Sequence, residues 1–505
     1  MLHWEELLTF YERSPLIFSQ YTFLFVFTIF FAFYLAVFKN ITVRNIYLLA
    51  FSLFFYYKSG GLYFWMLIFS TFVDYHLANY IFKATTTGRK KLFLVLSLSV
   101  NLGLLAFFKY SYFVTDSLNT LLGTDFIAYN FLTGISNVLA GTSYDVTEII
   151  LPVGISFYTF QAMSYTLDIY RGHLQPVKNI WDFGFFISFF PHLVAGPIVR
   201  AADFIPQVYK PYNVTKEEMG AAVFLIMKGL IKKVLISDYI SINLVDRVFD
   251  TPQLYSGVEN LLAIYGYTLQ IYCDFSGYSD MAIGLALLMG FRLGINFNSP
   301  YKAANITDFW RRWHISLSSW LRDYLYVSLG GNRKGKWRTK VNLLLTMLIG
   351  GLWHGASVKF ILWGALHGAA LVADKAWTNF SAPFINQKSF VYRALVWLIT
   401  FNFVAFCWIY FRAADMETVR LMLFQVVNDM SLSAIGERMW AYKHIVSLLI
   451  LGFGIHWLPD EWKQNWQNMF IRTALPVKAF IIAVVIALLY QVASSEVQPF
   501  IYFQF

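Results

Sequence analysis

Two histidines carry the most pointed chemistry in this sequence. His354 stands in GGLWHGAS, residues 350–357, at the end of the apolar run Val341–Leu352. His314 stands in TDFWRRWHISLSSWLRDYL, residues 307–325. An imidazole in such surroundings is costly to bury without a partner. Each is therefore either a core histidine bonded to a backbone carbonyl or a base. Histidine exchanges protons near neutral pH and is the commonest general base. Gly350, Gly351 and Gly355 beside His354 leave room for a close backbone or a ligand,. Small residues that let membrane helices pack closely would read the same way.

The stretch that carries His314 follows a 3.6-residue period. Trp310, Trp313, Leu317, Trp320, Leu321 and Tyr324 fall on one face. Arg311, Arg312, Ser316, Ser319, Arg322 and Asp323 fall on the other. The spacing predicts one amphipathic helix over 307–325, capped by Thr307 or Asp308 and lying at a membrane interface. His314 shares the tryptophan face and points into the protein. The basic run NRKGKWRTK, 332–340, soon follows.

Composition says what must position these residues. Of 505 residues 58% are hydrophobic, 20% aromatic and 13% charged, about half the charged share of a soluble domain. Mean hydropathy is +0.54. The chain is an all-α, polytopic membrane protein. Charge-free runs cover 14–38, 92–108, 394–411 and 479–495, and a further run over 62–82 holds only Asp74. At about 20 residues per span, roughly ten to twelve membrane helices are expected, with interfacial or re-entrant pieces in the middle. The amino-terminal segment holds Glu5 and Glu6 and lacks a basic start, so the first run is expected to be a retained helix. KNITVRN and KATTTGRKK, two helices apart, are basic and cytoplasmic by the positive-inside rule. The segment around Asp145 and Glu148 then faces out, and NRKGKWRTK faces in.

The excess of 39 basic over 29 acidic residues is explained by those loops and needs no nucleic acid. Cys273 and Cys407 stand in apolar context at no metal spacing, so no disulfide framework and no metal site is expected,. We read 1–505 as one integral membrane domain: simple spans over 1–125, a core over 150–370 rich in Gly, Pro, His, Asp and Arg, and simpler spans over 380–505. Function belongs in the middle zone, where polar groups persist despite their cost. A base within the membrane suits acyl transfer from a thioester on one side to a hydroxyl on the other. No G-x-S-x-G elbow and no Walker loop is present,.

Five stretches resemble the membrane-bound O-acyltransferases, and among them the branch that O-acetylates alginate. They are LPVGISFYTFQAMSYTLDIYRG from 151, FPHLVAGPIVRAADFIPQ from 190, QIYCDFSGYSDMAIGLALLMGF from 270, NFNSPYKAANITDFWRRWHISLSSWLRDYLYVSLGGNRKG from 296, and GGLWHGASVKFILWGALHG from 350. The resemblance implies a helical bundle around a central tunnel. It implies His354 as the near-invariant catalytic histidine and His314 as the second. Asp274, Ser276, Tyr278, Trp310, Trp313, Trp353, Arg311 and Arg322 are carried as tunnel or substrate residues. For Asp274 a pairing with a buried arginine such as Arg292 is the competing structural role. For the arginines it is anchoring to lipid headgroups. His367 reads as packing or tunnel lining.

The implied reaction takes acetyl groups from acetyl-CoA as donor, with no tightly bound cofactor. It passes them to an extracytoplasmic SGNH-type or similar acetyltransferase that esterifies a polysaccharide. The implied location is a bacterial inner membrane. A sister branch that transfers D-alanine to teichoic acid shares the DFW.RWH.SLS.W.RDY and GLWHG patterns. The stretch YVSLGGNRKG favours the acetyl branch. An ion-coupled transporter using Asp74, Asp168, Asp274, Asp280 and Lys228 is the rival from another class, and a passive scaffold is a third.

Overall fold

The computed structural model describes residues 9–10, 15–194, 196–381, 383–431, 433 and 435–492. Glu5, Glu6, Ser14 and the end of the 479–495 run beyond 492 lie outside the described residues. Among the described residues the regular structure is helical, with no strand.

The bundle opens with α1 (Tyr21–Val37), α2 (Ile41–Gly60), α3 (Phe64–Lys83) and α4 (Thr87–Leu122), joined by short connections. Each reversal has a local cause. The Asn40 side chain caps α2 by accepting from the amides of Thr42 and Val43, and Thr86 caps α4 through the Arg89 amide,. Gly123, at φ 64°, ends α4 in the left-handed conformation,. Two antiparallel pairs place residues 38–44 and 84–91 at one end of the bundle, as the loop charges require. Arg44, in the first of these segments, is buried and donates to the carbonyls of Val208 (2.8 Å) and Lys210 (2.9 Å), tying down a distant chain crossing.

Two helices, α4 and α12 (Phe390–Arg412), are each long and apolar enough to cross a membrane alone. They contain the 92–108 and 394–411 runs. Helix α1, at 17 residues, is shorter than its run, while α14 (Asp460–Arg472) and α15 (Leu475–Val492) meet at a bend of 119°. Other helices reach spanning length only with polar groups that the bundle buries.

Those groups sit mainly in the middle zone. Helix α6 (Lys216–Leu230) begins at a Thr215/Glu218 capping box and continues through π-helical turns at Ile231–Asp238 and Ser241–Val245. It packs against α7 (Gly257–Leu288) through glycines. A Cβ on Gly229 would lie 2.5 Å from the Gly277 carbonyl, and one on Gly284 would lie 2.6 Å from the Ala222 carbonyl,. Ion pairs lock the same seam: Lys233 to Asp274 and Asp238 at 2.7 Å each, Lys232 to Asp280 at 2.7 Å, Lys228 to Asp280 at 3.0 Å. Elsewhere Asp74 accepts from Ser97 (2.6 Å) and Asn101 (2.9 Å), and Asp168 accepts from the Tyr324 hydroxyl (2.8 Å). Of the five residues of the transporter reading, Lys228 and Asp280 pair with each other, while Asp74, Asp168 and Asp274 each have other partners.

The amphipathic stretch is not one helix. It forms α8 (Ile306–Arg312), a break at Trp313 and His314, α9 (Ile315–Trp320) and a π-helical turn over Leu321–Tyr326. The amino-terminal cap is Asn305, which accepts from the Asp308 amide, not Thr307 or Asp308. Burial still follows the sequence pattern: Trp313, Leu317, Trp320, Leu321 and Tyr324 are buried, and Arg311 and Arg322 are exposed. Helix α10 (Gly335–His354) then reverses directly into α11 (Val358–Ser381). Both cysteines are buried thiols.

Candidate active site

His354 is the last residue of α10, at the tip of the α10–α11 hairpin. The two helices meet backbone to backbone. A Cβ on Gly351 would sit 2.2 Å from the Phe360 carbonyl, and one on Gly364 would sit 2.3 Å from the Met347 carbonyl. Gly355 leaves the helix in extended geometry, and a Cβ there would strike the Phe360 ring. These positions admit glycine alone, which explains the glycines around His354 as packing. The final carbonyls of a helix need partners. Here α4 supplies them. Lys109 Nζ donates to the carbonyls of Trp353 (2.7 Å) and His354 (2.9 Å), and the Tyr110 hydroxyl donates to that of Leu352 (2.7 Å). An ammonium also suits the negative end of the helix dipole.

His314 occupies the break between α8 and α9 at φ 42°, ψ 56°. Among the described residues it is one of two non-glycine residues with positive φ, the other being Ser299. Such backbone strain persists only where surrounding bonds over-determine it. Residues 296–298 provide those bonds. The Ile315 amide donates to the Asn296 carbonyl and the Asn298 amide to the Arg312 carbonyl, at 2.9 Å each. Asn296 Oδ1 accepts from the Ser316 amide (3.1 Å) and Ser316 hydroxyl (2.9 Å) and lies 3.2 Å from His314 Nδ1.

This cluster fixes a tautomer. A backbone amide only donates, so the oxygen of Asn296 faces Ser316 and His314. The Ile198 amide donates to the Ser316 hydroxyl, which frees its hydrogen for Asn296. His314 Nδ1 must then carry the proton, and the basic lone pair is on Nε2. His314 is wholly buried and His354 nearly so. The Trp353 indole lies between them, with ring centroids 4.9 Å from His354 and 6.4 Å from His314.

Two cavities approach this pair from opposite ends of the hairpin. The larger, about 700 Å³, lies toward its base and is lined by Trp310, Arg311, Leu321, Arg322, Met347 and Lys375, among others. The smaller, about 70 Å³, is lined by Lys109, residues 151–157, Val194, Trp353 and His354. Aromatic side chains stand between the two: Trp310 of the larger cavity packs on Trp363 at 5.7 Å, and Trp363 packs on His354 of the smaller at 5.1 Å. At the rim of the larger, Asp323 bonds Arg200 and Arg322 at 2.6 Å each.

The residues taken from sequence thus divide. His314, His354 and Trp353 come together, and Trp310, Arg311 and Arg322 line the larger cavity. Trp313 packs on Phe297, Phe309 and Trp408 and lines neither cavity. Nor do Asp274, Ser276 and Tyr278. Asp274 is paired to Lys233, whereas Arg292 bonds Glu218. Ser276 accepts from Lys232 (3.1 Å), and Tyr278 stacks on Phe18. Lys109 and Asn296 were not singled out in the sequence. Among the described residues no three His, Cys, Asp or Glu side chains group as a metal site.

A family model described as the membrane-bound O-acyltransferase family matches residues 170–414, which contain both histidines. The probable alginate O-acetylase of Pseudomonas putida is 37% identical over 437 residues, 82% of this chain and 84% of that protein. The chain belongs to the membrane-bound O-acyltransferase family. The probable alginate O-acetylase of Pseudomonas aeruginosa is 46% identical over 325 residues, 64% of this chain, and the match spans 58% of that relative's length. The peptidoglycan O-acetyltransferase of Helicobacter pylori is 37% identical over 427 residues, 79% of this chain and 77% of that protein. As a member of the membrane-bound O-acyltransferase family the chain is a multi-pass membrane protein. The part matched by the family model begins at Tyr170, the last residue of the helix Ile155–Tyr170, and closes just past α12. It takes in the hairpin, the strained loop and every lining residue of the larger cavity. Lys109 lies outside it.

Proposed function

We propose that this protein transfers acetyl groups from a cytoplasmic thioester, acetyl-CoA, toward an extracytoplasmic polysaccharide such as alginate or a related exopolysaccharide. One observation carries the reading: His354 is clamped at a hairpin tip, beside His314, between two cavities on opposite sides. The hairpin base follows the basic run 332–340, so the larger cavity is the cytoplasmic one by the positive-inside rule. Its arginines suit a phosphorylated donor. The smaller cavity lies against residues 151–157, which follow the acidic outward segment, and receives the acceptor.

The chemistry is acyl transfer assisted by an imidazole base. A neutral histidine takes the acceptor's hydroxyl proton as its oxygen bonds to the thioester carbon. The carbon–sulfur bond then breaks, its electron pair leaves on sulfur, and the proton passes to the thiolate. His354 is the base, and His314, with its lone pair fixed on Nε2, assists. The immediate acceptor is a hydroxyl of an SGNH-type partner or a small carrier, with the polysaccharide downstream. The location is a bacterial inner membrane.

The test uses wild type and His354→Ala in lipid nanodiscs with acetyl-CoA, with and without a soluble SGNH-type acetyltransferase. Free CoA is followed. We expect release that requires His354 and rises with the partner. Equal release from both proteins would return His354 to a structural role. Turnover only with a D-alanyl carrier thioester would move the protein to the teichoic acid branch.

A further inference from the structure

His367, on α11, is an anomaly that the two-histidine chemistry leaves unexplained. It is wholly buried, and neither ring nitrogen has a hydrogen-bond partner among the described residues. A neutral imidazole always presents one N–H and one lone pair. Each buried polar atom left unsatisfied costs stability. Its cage is aromatic: the rings of Trp363, Trp310 and Phe403 lie 4.7, 5.1 and 5.6 Å from it. The indole N–H groups of Trp310 and Trp363 are buried and without a partner as well. A leucine or phenylalanine would fill the same space with no such penalty.

The position of the cluster suggests what it binds. Trp310 lines the larger cavity. Trp363 lies against His354, with ring centroids 5.1 Å apart. His367 touches both indoles, so it stands in the wall between donor cavity and base. An acyl group moving from one to the other passes this wall. Three unpartnered N–H donors in apolar surroundings match a group that only accepts hydrogen bonds, and a thioester carbonyl is such a group.

We propose that His367 is a catalytic residue whose ring N–H donates to the acyl carbonyl oxygen, with the Trp363 and Trp310 indoles as supporting donors. As the acceptor oxygen bonds to the carbonyl carbon, the carbonyl π pair moves onto oxygen, and the His367 N–H holds that charge. When the pair returns, the carbon–sulfur bond breaks and sulfur leaves with its electrons, to take the proton held by the base. The inference rests on the acyltransferase reading above.

The experiment measures kcat and KM for acetyl-CoA, together with Tm, for nanodisc-embedded wild type, His367→Leu, His367→Gln and Trp363→Phe. Loss of a single oxyanion donor lowers kcat by about 10²–10³-fold. We expect that loss in His367→Leu with KM little changed and Tm equal or higher, because an orphaned polar group has gone. Glutamine retains an N–H donor and should recover at least part of the rate. Trp363→Phe keeps the ring and loses the N–H, and should fall by a smaller factor. Wild-type kcat in His367→Leu overturns the proposal while leaving the acyltransferase reading intact. So does a rate loss that follows Tm across the three variants, or a glutamine no faster than leucine. A wild type that releases no CoA overturns both.

Discussion

Replacing Lys109 with methionine removes an ammonium that holds the backbone carbonyl of His354. Lys109 makes two charge-assisted bonds, to the Trp353 and His354 carbonyls at 2.7 and 2.9 Å. Bonds to charged groups contribute about 1.5–3 kcal/mol each, so the tip of α10 loses about 3–6 kcal/mol of local restraint. The tip keeps the Tyr110 bond to Leu352 and the glycine packing against α11. It is therefore expected to stay folded while its last residue shifts. A displacement of about 1 Å at a reacting group lowers rates by about 10²-fold. None of the residues lining the larger cavity is Lys109 or its two carbonyl partners, so donor binding should not change. The expected outcome for Lys109→Met is kcat down by about 10²-fold at constant KM for acetyl-CoA, read as CoA release in nanodiscs. Lys109→Arg, which keeps the charge but not the reach, should fall between. A Lys109→Met protein with wild-type kcat would show that the glycine seam alone fixes His354, and the clamp argument would fail.

Substitutions at two further positions separate the site from its scaffold. Asn296→Leu removes the acceptor that holds His314 Nδ1–H and the Ser316 amide, so kcat should drop by about tenfold to a hundredfold. Asn296→Asp, which keeps an acceptor oxygen in place, should restore most of the rate, and equal losses in the two would deny Asn296 its orienting role. Asp274→Leu breaks the buried pair with Lys233, a class of change that destabilises by about 3–5 kcal/mol. Because Lys233 retains Asp238, the low end is expected, seen as a lowered Tm with kcat per folded protein unchanged. A selective fall in kcat at constant Tm would place Asp274 back in the tunnel.

How much of this was legible in the sequence differs from residue to residue. The histidine pair was legible because polar groups in apolar runs are few and demand a reason. Lys109 meets the same criterion, one position past the 92–108 run, yet a single lysine there reads as the edge of a span. Its partners are two carbonyls on α10, and backbone atoms leave no mark on sequence. Asn296 was hidden for the same reason, since two of its five partners are backbone amides. Asp274 was legible as a buried charge but not by partner. Arg292, nearer in sequence, bonds Glu218 outside, while Lys233 reaches Asp274 from the π-helical continuation of α6.

The stretch 307–325 shows where periodicity stops informing. Its tryptophan face is buried apart from half-buried Trp310, and Arg311 and Arg322 are exposed, as a helix requires, but the chain is not a continuous helix. Hydrophobic spacing records which side chains avoid solvent, and it tolerates a two-residue break followed by a wider π-helical turn. A continuous helix would bond the His314 amide to Trp310 and carry the imidazole on the tryptophan face. The observed break gives that backbone to residues 296–298 instead and turns the ring toward Phe275 and Trp353. The strained residue in the segment is thus also the one proposed to assist the base. A proline, glycine or asparagine signal would have announced the break. Here histidine itself occupies the left-handed position, and the bonds from Asn296 and Ser316 make that conformation stable.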